Sequence, residues 1–485
     1  MMTRDEILAV YAAGPEAVVR LVETLLRQIG HLDRKTTHLA ARIEELEIRL
    51  GKDSHNSHKP PSSDGLSRGK KPKSLRGKSG KPSGGQPGHP GQTLLPVEKP
   101  DEFRLHVPSA CAHCGSALEA VAPCATEHRQ VFDLPKLSLF VTEHEVQTKR
   151  CPACQQSTSG AFPAGVRQAA QYGPQLLALG VYLQTYQLLP FARTQELLQD
   201  LFGASLSQGT LARALAAASE RLEPVEHAIR QAIHQAPVVH FDETGIRAEA
   251  HLRWLHTAGT EQLTFYAVHP KRGREALNAL DVLPGFQGVS VHDAYASYLS
   301  YPARHALCNA HLLRELIALE EQTEQSWTTA LIQLLREMKI EVENARAAAD
   351  AALEPTRLSA LRSRYDALLA QGRRLNPPLP RTRKVGRRKQ SPAQNLLDRL
   401  EKHTEAVLAF LYDFAVPFDN NLAERDLRMV KVQQKISGGF RSTEGAGNFC
   451  RIRGYISTLR KQGLHVLSAL QSVFLGTPLM PQLQG

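Results

Sequence analysis

No stretch of this 485-residue chain reaches the roughly 18 unbroken apolar residues that a membrane-spanning helix needs. The most apolar region, LLALGVYLQTYQLLPFA, is broken by Gln184 and Gln187. The start, MMTRDEILAV, has acids where a secretion signal has basic residues and then an apolar run. These absences predict a cytoplasmic protein with no membrane partner. No His/Glu pair stands at metalloprotease spacing, which argues against zinc as a catalytic ion. Acids are nearly missing from two segments. Residues 51–92 carry nine Lys/Arg against two Asp, and residues 371–390 carry eight Lys/Arg and no acid. Cysteine is scarce and odd in number, seven in all. Four of the seven form two C-x-x-C pairs, which without a secretion signal favours a metal over disulfides.

Against these absences stand a 42% hydrophobic content, a net charge of +11 and a pI of about 9.3. The length predicts about two to four domains. The charge is compatible with a well-solvated surface or with a polyanionic partner, and its distribution must decide. Residues 1–50 read as an N-terminal helix, and residues 18–50 of it carry a strict heptad: Val18, Leu25, Leu32, Leu39 and Leu46 form one series, Val22, Ile29, Thr36, Ile43 and Leu50 the other. So narrow a seam predicts a coiled coil that joins protomers into a homodimer or higher oligomer, rather than a helix packed on its own domain. Residues 51–100 are expected to be a basic disordered linker, either a solvated tether or one that follows DNA phosphates.

Residues 101–165 predict a small β-rich module. Cys111 and Cys114 (CAHCG) and Cys151 and Cys154 (CPAC) have the spacing that brings two thiolates of a tight turn onto one tetrahedral zinc ion. The 36 residues between the pairs exceed common finger spacing and suit a zinc ribbon with a β-hairpin between the knuckles. The alternation in RQVFDLPKLSLFVTEHEVQTKR suggests two strands around Pro135. Residues 166–235 are expected to be helical. PFARTQELLQDLFGASLSQGTLARALAAA has the outline of a helix-turn-helix with Ser207 as N-cap, although any helical hairpin with a Gly turn looks similar.

Residues 236–310 read as three strands, a helix and further strands. VVHFDETGIR is a buried strand bearing Asp242, and Asp293 lies just past the short strand of GVSVHDAYASY. That order matches an RNase H-like sheet, in which the first and fourth strands are central neighbours, so the two acids would meet. Two close carboxylates repel, and a hard cation such as Mg2+ removes the conflict. Residues 311–414 predict a helical insertion with the basic loop 371–390, whose Arg387 and Arg388 are candidate DNA contacts. Residues 415–485 return to helix. In PFDNNLAERDLRMVKVQQK, Glu424 falls early in a helix, with Arg428, Lys431 and Lys435 on one face. On its own, that pattern equally suits a surface Glu–Arg pair at i, i+4.

Several blocks resemble, in order, those of bacterial transposases of the insertion-sequence-66 family: NSHKPPSSDG, the two C-x-x-C knuckles, DETGIR, HDAYASY, CNAHLLREL and DNNLAERDLR. The resemblance runs over nearly the whole chain. It implies an RNase H-like nuclease core with Asp242, Asp293 and Glu424 as a DDE triad holding two Mg2+ (or Mn2+) ions. It also implies structural zinc on the four cysteines, cleavage at transposon ends, strand transfer into target DNA, and in some elements small accessory proteins. A DNA partner would place the protein at the nucleoid. Cys308 and His311 match a C-x-x-H pair seen in several DDE families, for which a buried Cys and a helix-capping or DNA-near His is the simpler account. Where the family often has a Gly-Arg-Lys-Asn-like stretch, this chain has VQQKISGGF, which leaves open which basic residues touch DNA. Two other functions fit the same residues: a structure-specific RNase H-like nuclease such as a resolvase, and a zinc-containing DNA-binding regulator with an inactive core.

Overall fold

The computed structural model describes residues 3–50 (backbone only at 34, 37, 38 and 40–50), 93–378 and 390–483. Arg387 and Arg388 therefore lie outside the described residues, as does most of the basic linker. The chain divides into two compact units, one of them holding described residues 93–160 and 195–206.

At the N-terminus, α1 (Arg4–Ala12) opens on a capping box, in which the Thr3 side chain and Glu6 each accept the other's backbone N–H. Helix α2 (Pro15–Leu50) follows the predicted heptad region. Of its seam residues, Val22, Leu25, Ile29, Leu32 and Leu39 are 44–60% exposed, while Val18 is half-buried.

In residues 93–160 the regular structure is a short antiparallel pair, β1 (Thr148–Arg150) and β2 (Ser157–Ser159), with a bridge between Ala110 and Ala117. The two strands expected around Pro135 do not form. Val131, Phe140 and Val141 are 83–95% exposed. Alternation stabilises a strand only when a second layer covers its apolar face, and these side chains have none.

The remaining described chain is built on a five-stranded sheet. Three helices precede it in the chain, α3 (Pro174–Thr185), α4 (Phe191–Phe202) and α5 (Gln208–Gln235); α3 and α5 belong to this unit, while α4 from residue 195 onward falls in the other. Gly203 ends α4 with φ 67, and the Ser207 hydroxyl accepts the Thr210 N–H at the start of α5. Helix α5 runs for 28 residues and places Leu222, Val225, Ile229 and Ile233 in the core. Each such side chain contributes about 1.5–3 kcal/mol of gross burial.

The antiparallel meander β3 (Val238–Ala248), β4 (His251–Gly259) and β5 (Thr264–His269) leads through α6 (Arg274–Leu280) to β6 (Val289–His292) and β7 (Arg304–Leu307). The sheet order is β5-β4-β3-β6-β7, and β6 runs parallel to both β3 and β7. Strand β3 is covered on both faces, which explains why it reads as an apolar run. Val239 and Phe241 pack with α5 in one core cluster, while Ile246 and Ala248 pack in another.

Between β7 and the last quarter of the chain the regular structure among the described residues is helical: α7 (Asn309–Thr323), α8 (Ser326–Ala347), α9 (Pro355–Leu375), α10 (Pro392–Lys402), α11 (Thr404–Val407) and α12 (Ala409–Tyr412). They share a core around Trp327, Leu335 and Tyr365. The chain then forms α13 (Asn421–Ser437), α14 (Thr443–Lys461) and α15 (Val466–Leu475). Helix α13 lies on the face of β3 that carries Ile246 and Ala248, with Leu427 and Val430 in the same cluster. After it, Gly438 takes φ 72, and a Cβ on Gly439 would stand 2.9 Å from the Arg247 carbonyl. Phe440 then donates to Arg247 O at 2.7 Å and accepts from Glu249 at 3.0 Å. The Gly-Gly pair in VQQKISGGF is thus a tight dock against the end of β3.

Candidate active site and metal-binding side chains

The β3–β6 register pairs His240 with Val291. Carrying the same offset two residues further sets Asp242 level with Asp293. Alternation along a strand sends Asp242 and Glu243 to opposite faces, and the two acids have different fates. Asp242 is half-buried and its Oδ1 accepts the Glu243 N–H at 2.8 Å. Burial pushes its carboxyl well above the ordinary range, reinforced by the charges of Glu243, Asp293 and Glu424. Asp293 sits where the chain turns out of β6. The next residue, Ala294, has φ 69, an uncommon conformation for a residue with a Cβ, and Tyr295 N–H donates to Asp293 Oδ1 at 3.0 Å.

Histidines fix this turn. Ala294 N–H donates to His292 Nδ1 at 3.1 Å, so Nε2 carries the His292 proton and donates to His305 Nδ1 at 3.0 Å. His305 Nε2–H in turn reaches the Tyr301 carbonyl at 3.1 Å. Burial lowers both pKa values, keeping the pair neutral as this chain of donors requires.

Glu424 occupies the first turns of α13, where the helix dipole favours an acid. Asn420 is its N-cap by position, but its side chain does not cap the helix. Buried to 1% exposure, Asn420 instead donates from Nδ2 to Phe241 O at 2.8 Å and accepts from His240 Nδ1 at 2.8 Å. Its own N–H points to Cys308 Sγ at 3.1 Å. One asparagine therefore ties the start of the Glu424 helix to the Asp242 strand and to the turn after β7. Glu424 Oε1 accepts from Arg314 Nη2 at 3.1 Å, with His311 Nδ1 at 3.7 Å. Its partner comes from α7 rather than from Arg428.

The basic residues of α13 divide. Arg428 and Lys435 are exposed. Lys431, expected to face outward with them, instead donates from Nζ to Gly245 O at 2.9 Å, and burial lowers its pKa to about 8 although the Asp242 charge opposes this.

Beside Asp242, Glu243 is sealed from water. Arg272 Nε donates to its Oε1 at 2.8 Å and the Tyr298 hydroxyl to its Oε2. The Arg272 guanidinium lies 4.1 Å from the Tyr295 ring centroid and 5.0 Å from that of Trp254.

Among the described residues, one group of three or more His, Cys, Asp or Glu side chains brings its ligand atoms within 4.8 Å of one another: Cys308, His311 and Glu424. Asp242, Asp293 and Glu424 interact electrostatically but are not so tightly gathered. The donor set nonetheless fits a hard divalent cation: all oxygens, with an Asp242 carboxyl whose ionisation its neighbours oppose.

The four predicted zinc ligands form two local knuckles. Cys111 N–H bonds Ser116 O at 2.8 Å and Gly115 N–H bonds Cys111 O at 2.9 Å; Cys151 and Gln155–Gln156 repeat the pattern at 2.8 and 2.9 Å. The Cys114 thiol is lowered in pKa by the Ser116 hydroxyl and by Cys111, and the Cys151 thiol by backbone N–H groups and by Cys154. These turns favour thiolates, so each pair fits zinc, but the structure does not gather the four sulfurs into one tetrahedral set.

Asp242 lies within β3, Asp293 one residue past β6 and Glu424 on α13, with two cysteine knuckles upstream, and family comparison places this combination. The model described as "Transposase IS66 family" matches residues 169–448, and "zinc-finger binding domain of transposase IS66" matches residues 108–155. A family of unknown function matches residues 14–94. The chain belongs to the IS66 transposase family. It is also similar to the uncharacterized protein y4jD of Sinorhizobium fredii (strain NBRC 101917 / NGR234), with 23% identity over 393 residues, covering 75% of this chain and 74% of that protein. Among the described residues, no helix is long and apolar enough to cross a membrane.

Proposed function

We propose that this chain is a DDE transposase that cuts DNA at transposon ends and joins the freed 3′-OH to target DNA, with Asp242, Asp293 and Glu424 as its catalytic acids. One observation carries the proposal: β3 and β6 pair in parallel up to His240 and Val291, an offset that extended two residues would set Asp242 level with Asp293 just past β6, and Asp242 feels the charge of both Asp293 and Glu424. The sheet order β5-β4-β3-β6-β7 supports an RNase H-like core, with α7–α12 as its helical insertion. The three acids would hold Mg2+, with Mn2+ as a substitute, and the bound ions would supply Lewis acidity to both the attacking and the leaving oxygen. The residues themselves do the positioning. Asn420 fixes the Glu424 helix to β3, the histidine pair fixes the turn of Asp293, and the Arg272–Glu243 pair holds the rear of the Asp242 strand. Lys431 puts a cation beside Asp242, while Arg428 and Lys435, together with Arg387 and Arg388 of the basic loop, would meet DNA phosphates.

The cysteine knuckles would close on one structural zinc ion as the module binds. They and residues 166–235 would recognise transposon ends, and α2 would pair protomers so that two ends are held together. A strand-transfer assay with labelled end DNA and a supercoiled target separates this function from that of a resolvase-type nuclease. Joined product that requires Mg2+ and a 3′-OH end supports the proposal. Cleavage without joining would replace it with the nuclease, and specific binding with neither activity would replace it with the DNA-binding regulator.

A further inference from the structure

Three chemically different ligands converge where α7 and α13 begin: Cys308 Sγ, a ring nitrogen of His311 and a carboxylate oxygen of Glu424. We propose that these residues form a separate site for a zinc-type cation, and that filling it withdraws Glu424 and switches off Mg2+-dependent cleavage. The binding half stands on this geometry alone. The switching half rests on the catalytic role proposed above for Glu424.

The donor set selects the ion. Thiolate, imidazole and one carboxylate are a zinc combination with a fourth position open, whereas Mg2+ takes oxygens and retains water. The local fold prepares the ligands. Cys308 is the N-cap of α7 and His311 lies three residues on, so one helical turn carries both to the same side. The Cys308 sulfur accepts the Asn420 N–H at 3.1 Å, at the start of α13. It therefore lies at the N-terminal ends of two helices, of 15 and 17 residues, whose N–H groups point at it, although burial and the Glu424 charge raise its pKa to about 12 and keep it a thiol until a cation displaces the proton. Asn420 is held on its other side by Phe241 O and His240, so this donor is fixed in place. Access comes from the other two ligands, because the side chains of His311 and Glu424 are 19% and 29% exposed. A cation already faces Glu424 there: Arg314 Nη2, 3.1 Å from Oε1. Its side chain is 28% exposed and can swing to solvent. Zinc binding would release the Cys308 thiol proton to water and displace the guanidinium from Glu424. A buried cysteine and a helix-capping histidine explain the first two residues separately, but not their convergence with a carboxylate from another helix.

The test uses the full chain carrying its knuckle cysteines, compared with His311→Gln and Cys308→Ala. Zinc content is measured by elemental analysis and affinity by competition with a chromophoric chelator. The wild type should hold one more zinc ion than either variant, and each variant's residual affinity at this site should fall by more than the roughly 10–100-fold that loss of an outer partner costs. With cobalt in place of zinc, Cys308→Ala should lose one thiolate-to-metal charge-transfer contribution. Zinc should inhibit Mg2+-dependent cleavage by wild type, with the half-inhibitory concentration raised in both variants. His311→Gln alters a partly exposed position, so it keeps the test open if Cys308→Ala fails to fold. Equal zinc content and affinity in all three proteins would overturn the site. Loss of zinc from the variants without inhibition of the wild type would overturn the switch alone. Undiminished cleavage by Glu424→Gln would remove the catalytic premise, while the zinc count would still decide the site.

Discussion

Replacing Arg272 with alanine should destabilise the protein far more than loss of a surface ion pair. The Glu243 side chain is 1% exposed, and its two oxygens are met by Arg272, with Nη2 at 2.7 Å, and by the Tyr298 hydroxyl. Arg272→Ala leaves that carboxylate buried with only the tyrosine. Breaking a buried pair from one side typically costs about 3–5 kcal/mol, against about 0–1 kcal/mol for an exposed pair. The loss of the guanidinium from between Tyr295 and Trp254 adds to this. Urea unfolding followed by fluorescence should show a midpoint lower by about 1 M or more, at an m of roughly 3 kcal/mol/M. The double replacement Glu243→Met with Arg272→Met should recover most of the loss, because no charge is then left buried without a partner. A single-mutant loss below about 1 kcal/mol at unchanged m would refute the reasoning, since it would place the pair in the surface class.

Three further outcomes follow from the same geometry. His256 is 2% exposed and burial lowers its pKa to about 4, so the unfolded chain takes up a proton first as pH falls below 6.5; stability should drop by about 3 kcal/mol towards pH 4 from this group, and His256→Gln should show a shallower acid loss in pH-dependent urea unfolding. Asp242 has a raised folded pKa, so its contribution to stability is present at low pH and lost as pH rises through that value; without added divalent cation at neutral pH, Asp242→Asn should melt above wild type, and Mg2+ at 100 times Kd should narrow the gap by adding about 2.7 kcal/mol to wild type only. Removing residues 1–50 should convert an oligomer to a monomer by light scattering, because Val22, Leu25, Ile29, Leu32 and Leu39 of the α2 seam are 44–60% exposed within one chain; an unchanged mass would reject pairing through α2.

Local pattern made much of the core legible. The apolar run of β3, the alternating strands after it, the short β6 ahead of Asp293 and the helix around Glu424 all follow from periods of two and 3.6 residues. What local pattern could not give was pairing at a distance. Arg314 lies 110 residues from Glu424, and Asn420 lies 180 from His240. A helix-capping signal at Asp419–Asn421 was visible, but the role of Asn420 as a tie between β3, α13 and Cys308 depends on tertiary neighbours. The sequence DE showed two acids without saying that one faces α13 and the other is itself buried against the half-buried Arg272. Lys431 looked like its exposed neighbours Arg428 and Lys435, yet its place on the helix turns it towards Gly245. The alternation around Pro135 misled for the converse reason, since a strand pattern with nothing to cover it stays unpaired and exposed.

The central claim is most directly tested by Mg2+-dependent nicking of duplex DNA carrying the transposon ends, comparing wild type with Asp242→Asn, Asp293→Asn and Glu424→Gln at matched DNA retention. All three substitutions should abolish nicking while each protein still binds the DNA. Nicking at the wild-type rate by Asp293→Asn or Glu424→Gln would contradict the assignment of these acids.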